Sequence, residues 1–71
     1  MITIGEHIRN ARLKSNMTQK ELADIVGVGR LHITKIEAGV ELPSLFLLNE
    51  IVQHLSMPSV ATALGQILNG K

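Results

Sequence analysis

The side chains of this chain that could do chemistry are three histidines, His7, His32 and His54, and the cations Arg9, Arg12, Lys14, Lys20, Arg30 and Lys35. The histidines stand far apart, no cysteine accompanies them, and neither a carboxylate pair nor an HExxH spacing is present. Metal-assisted and general acid–base catalysis lack their parts, so no enzyme, no metal and no cofactor is expected. Gly27 and Gly29 are read as turn glycines rather than as a GxGxxG phosphate loop, and no small-molecule ligand is expected. What remains is recognition chemistry, in which guanidinium and ammonium groups donate to anionic oxygens or to the acceptor edges of bases.

The net charge of +1 is a weak sign of a polyanionic partner. Its distribution says more. The six cations named above lie in the first half, whereas the chain from there to Gly70 carries only Glu37, Glu41 and Glu50 as charged residues. One basic and one apolar, mildly acidic surface would produce this division, and so would an ordinary solvated face. At 71 residues the chain is expected to be one domain, 1–71, near the lower size limit for a self-sufficient core. Hydrophobic residues make up 45%, yet there is one Phe and no Trp or Tyr, so the core must be aliphatic, as packed helices allow. No cysteine is available for disulfides and no basic, apolar leader opens the sequence, so a cytoplasmic location is expected. The longest uncharged run, Ile51 to Gly70, is interrupted by Gln53, His54, Pro58 and Gly65, and no membrane span is expected.

The elements that must position these side chains can be read from caps and periodicity. Thr3 and Glu6 form a capping box that opens a helix of roughly Ile4 to Ser15, with Ile4, Ile8 and Ala11 on its inner face and Ser15 and Asn16 as its break. A second box, Thr18 and Glu21, opens a helix that Gly27 ends, and another helix runs from about Gly29 to Ala38 and is closed by Gly39. Leu22, Val26, Val28, Ile33 and Ile36 fall on the inner sides of this pair, and Ala23 lets the two cross closely. This is the pattern of a helix-turn-helix. Pro43 and Ser44 begin a fourth helix, roughly Leu45 to Leu55, with Leu48, Ile51, Val52 and Leu55 inward and Phe46 and Leu47 widening the apolar surface. After Pro58 a fifth, at about 59–69, presents Val60, Ala63, Leu64, Ile67 and Leu68 on one side. The expectation is an all-α, compact five-helix domain with the helix-turn-helix at helices two and three.

These residues resemble the Cro/C1-type, or XRE, family of helix-turn-helix regulators. The resemblance covers about Ile4 to Met57 and rests on Arg12, on Thr18, Gln19, Glu21, Leu22 and Ala23, on Gly27, on Ile33, Ile36, Glu37 and Gly39, and on Pro43, Ser44 and Leu55. It implies a lambda-repressor-like fold and a transcriptional regulator, a repressor, that binds double-stranded DNA as a homodimer on a palindromic operator. The start of the second helix offers free backbone donors to a phosphate, and Gln19, with Thr18 and Lys20 on either side, is assigned to that anchor. Gly29, Arg30, Leu31 and Lys35 match the family's base-reading positions, with His32 at the edge. Arg30 suits guanine O6 and N7, Leu31 a thymine methyl, and Lys35 a guanine or a phosphate. Arg12 and Glu37 look like the family's buried ion pair.

Two departures from the family stand out. Gly29 occupies a position where Ser, Thr or Asn usually caps the recognition helix, and Val40, Glu41 and Leu42 replace a loop that is often basic. A dimer contact is expected on the last helix, through Leu64, Ile67 and Leu68, and around Phe46, Leu47 and Met57, although the same apolar face could simply cover the monomer's core. A second class of function stays open beside the regulator: a HipB-type antitoxin whose Val40, Leu42 and Phe46 region engages a toxin protein while DNA binding autoregulates the operon.

Overall fold

The computed structural model describes residues 3–55 and residue 57. Within them run four helices, α1 (Ile4–Lys14), α2 (Gln19–Val26), α3 (Arg30–Glu37) and α4 (Leu45–His54), and no strand. The fifth helix expected at about 59–69, with Leu64, Ile67 and Leu68, lies outside the described residues. No helix among the described residues is long and apolar enough to cross a membrane.

Local chemistry sets the helix ends. Thr3 Oγ1 accepts from the Glu6 N–H at 3.1 Å and Ser44 Oγ from the Leu47 N–H at 3.0 Å, each satisfying a donor that the helix leaves unpaired. At α2 the box is complete: Thr18 Oγ1 accepts from the Glu21 N–H at 3.0 Å while Glu21 Oε1 accepts from the Thr18 N–H at 2.8 Å. α1, α2 and α3 all close through a residue of positive φ, Asn16 at 56°, Gly27 at 78° and Gly39 at 80°. The next N–H then turns back on the helix, from Met17 to the Arg12 carbonyl, Val28 to Ala23 and Val40 to Lys35, at 2.9 to 3.1 Å.

The core lies where the four helices meet. Ile8, Leu22, Ile33, Ile36 and Ile51 are wholly buried, joined by Ala11, Ala23, Leu47, Val52, Leu55 and Met57. Removing such an aliphatic side chain from water contributes about 1.5–3 kcal/mol, which the short helices could not supply by hydrogen bonding alone. α1 meets the end of α3 backbone to backbone at Gly5: a β-carbon there would stand 2.1 Å from the Ile36 carbonyl oxygen.

Ile51, Val52 and Leu55 lie in the core as expected, and the structure adds Leu47 to them in place of Leu48. Leu47, Ile51 and Leu55, four residues apart, form the buried stripe with Val52 beside it, and Leu48 is only half-buried at its margin. Leu47 and Met57, expected at a dimer contact, are core side chains of the monomer, so their apolar surface is already used. Of that expected cluster in the described residues only Phe46, 75% exposed, faces solvent.

Candidate nucleic-acid interface

α3 turns two faces in opposite directions. Ile33, Ile36 and Glu37 point inward, and Arg30, Leu31 and Lys35 point out, with Leu31 61% exposed although it is a large apolar residue. His32 and Thr34 are half-buried at the margins. A solvent-facing leucine beside an arginine, on a helix narrow enough for the major groove, is a surface suited to a thymine methyl and a guanine edge.

The buried face is held by a polar network that spans three helices. Arg12 Nε donates to Glu37 Oε2 at 2.7 Å and Nη2 donates to Oε1 at 3.0 Å, a bidentate pair in which both residues are 7% exposed. Arg12 Nη1 donates to the Met17 carbonyl at 2.8 Å, so α1 also fixes the entry to α2. The hydrogen bonding to Glu37, ahead of the carboxylate's charge, raises the Arg12 pKa above its ordinary value, while burial acts in the opposite direction. Among the described residues no buried side-chain nitrogen or oxygen lacks a partner, as a buried charge pair requires.

Gln19 extends this network to the surface. Its Nε2 donates to Glu37 Oε1 at 3.1 Å, and its Oε1 accepts from Thr34 Oγ1 at 2.8 Å. The sequence assigns Gln19 to phosphate alone, whereas the structure makes it, with Thr34, a link between α2 and α3. Spacing along one helix cannot reveal a bond between two. The Thr34 hydroxyl has a single proton, and the Arg30 carbonyl, at 3.1 Å, is its competing acceptor.

At the N-terminus of α2 the Thr18 N–H is consumed by Glu21, while the N–H groups of Gln19 and Lys20, in the first turn, have no acceptor among the described residues. The Lys20 side chain lies along the helix, its Nζ 3.0 Å from Asp24 Oδ2. At α3, Gly29 is the cap residue and makes no side-chain cap bond; a β-carbon there would meet nothing within 4 Å, and its φ of −78° is open to any residue. Among the described residues nothing demands glycine at this position.

The sequence counts Arg9 among the cations but assigns it no DNA contact. Exposed on α1, it borders an open cleft of about 270 Å³ with Gln19, Thr34, Glu37 and Ala38. Arg9, Lys14 and Arg30 have no ion-pair partner among the described residues, whereas Lys35 Nζ lies 3.7 Å from Glu41 Oε1. The signal in the sequence was Arg9 three residues before Arg12, which sets it on a neighbouring face of the helix whose other arginine is buried. His54 is exposed, with Nδ1 2.9 Å from the Glu50 carbonyl, and no cluster of metal-binding side chains occurs among the described residues.

Comparison with known proteins agrees with this geometry. The helix-turn-helix family model matches residues 8–61, a span that contains α2, α3 and α4 and most of α1. No curated protein matches the chain. A match over this much of the sequence, on a fold that presents α3 outward from α2, places the chain in the Cro/C1-type helix-turn-helix family of DNA-binding transcription regulators.

Proposed function

We propose that this chain represses transcription by binding a palindromic operator as a homodimer, with α3 in the major groove. The observation that carries the reading is the outward face of α3, where Arg30, without an ion-pair partner among the described residues, stands beside exposed Leu31. Arg30 grips a guanine, Leu31 meets a thymine methyl, and Lys35 and His32 lie further along the groove wall. The free N–H groups at the start of α2, with Gln19 beside them, seat one phosphate, and Arg9 across the cleft contacts the same strand. Thr18 and Lys20 border that seat. In a dimer the two α3 helices stand about 34 Å apart, one turn of DNA. Phe46 lies at the contact between copies, supported by its exposure.

Selection from random duplexes tests the proposal. The expected result is an enriched two-fold symmetric site; no enrichment at moderate salt overturns it.

A second reading is favoured by one observation: Val40, Leu42 and Phe46 are 72%, 81% and 75% exposed, a large apolar allowance close to a surface that must meet phosphate. An antitoxin would use this region to hold a toxin protein while α3 autoregulates the operon. Co-purification with the product of an adjacent reading frame supports this second reading, and an isolated regulator gene counts against it.

A further inference from the structure

The carboxylate of Glu41 sits against two of the side chains assigned above to DNA. Its Oε1 is 3.7 Å from Lys35 Nζ and its Oε2 is 3.5 Å from His32 Nδ1. The main chain fixes this placement. Gly39, at φ 80°, turns the loop back on α3, and the N–H groups of Val40 and Glu41 both donate to the Lys35 carbonyl, at 2.9 and 3.3 Å. The carbonyl end of α3 adds its own partial negative charge at the same place. The outward face of α3 is therefore cationic at Arg30 and cancelled at Lys35.

We propose that Glu41 is an electrostatic brake on DNA association, holding Lys35 and His32 away from the phosphates and so raising the ratio of specific to non-specific affinity. This rests on the reading of α3 as the DNA-contacting helix. Non-specific binding comes almost entirely from cations that displace counterions from phosphate. A lysine already facing a carboxylate releases none on balance, and the carboxylate itself is repelled by the strand. Contacts of Arg30 and Leu31 with base edges lie at the other end of α3 and are left intact. Exposed pairs of this length contribute little to folding, so Glu41 can be changed without unfolding the chain.

The test compares wild type, Glu41→Gln and the double variant Glu41→Gln with Lys35→Gln, binding random duplex and the selected site across a salt series. One added phosphate contact multiplies affinity by nearly the inverse of the molar salt concentration, so Glu41→Gln is expected to bind random duplex about tenfold more tightly near about 0.1 M salt. Its salt slope steepens by about one, and the double variant loses the gain. Unchanged affinity of Glu41→Gln for random duplex, with wild type still binding its site, overturns the brake and leaves the DNA reading standing. Loss of preference at a single base pair also overturns it, because Glu41 would then be a reader of cytosine. If none of the three proteins binds any duplex at low salt, the DNA reading fails and the brake fails with it.

Discussion

Gln19 Nε2 and Arg12 Nη2 donate to the same oxygen, Oε1 of Glu37, at 3.1 and 3.0 Å. A residue at the start of α2 and a residue of α1 thus converge on the last residue of α3. The side chain expected to touch phosphate is also one that ties α3 to α2.

Gln19→Ala therefore weakens folding as well as DNA binding. It strips a hydrogen bond from a buried carboxylate, at a cost of about 1–3 kcal/mol by urea unfolding. Thr34→Val in the same background adds less than it does in wild type, because the two side chains share one bond, and a double-mutant cycle reads that difference.

Arg12→Ala strands the Glu37 carboxylate and costs about 3–5 kcal/mol, with DNA binding lost through unfolding. A variant that melts like wild type would reject this role. The raised Arg12 pKa fixes the sign of the alkaline pH dependence. A folded pKa above the unfolded one contributes stability that is fully present below the ordinary arginine value and is lost only as pH climbs through the raised one. Unfolding free energy should show no loss from this pair between neutrality and pH ~11.

Gly5→Ala separates two opposing effects. Helix propensity alone would stabilise α1 by about 1 kcal/mol. The new β-carbon meets the Ile36 carbonyl oxygen at 2.1 Å, a backbone atom that cannot swing aside, so the net change is destabilising by about 1–3 kcal/mol. Thermal melting of the variant checks the sign.

Gly29→Ser should do the reverse to function and stability. A serine cap adds a few tenths of a kcal/mol to α3, with open space to receive it. On the proposed reading the added side chain would stand between the N-terminus of α3 and the DNA, so affinity for the selected site is expected to fall while the melting temperature rises slightly.

Arg30→Ala is expected to cost about 1–3 kcal/mol at one base position of the selected site and to relax the preference there. Uniform weakening across all sequences would make Arg30 a phosphate contact instead.

Much of this was legible in the residues because it is local. Thr18 with Glu21, Gly27, Gly39 and Ser44 announce helix ends through bonds that span only three or four residues, and the observed ends of all four helices fall within one residue of those read from them. The Arg12 and Glu37 pairing, 25 residues apart, came from resemblance and not from spacing. Three things were not legible. The inward turn of Leu47 depends on how α4 is rotated against α2, and a run of Leu, Phe, Leu and Leu offers more than one apolar stripe. The bond from Thr34 to Gln19 needs the crossing of α2 over α3, and Gly5 looks like any helical glycine until the neighbouring carbonyl is in place.

Mechanically, α3 is a cantilever. Its root is clamped by Ile33, Ile36 and the Glu37 network, and its tip, from Gly29 to Leu31, projects with no side chain in the core. Amide protons should exchange slowly at the root and faster at the tip. On the proposed reading, a helix built this way would keep its angle to the DNA stiff while its tip retains the compliance to settle into grooves of differing width.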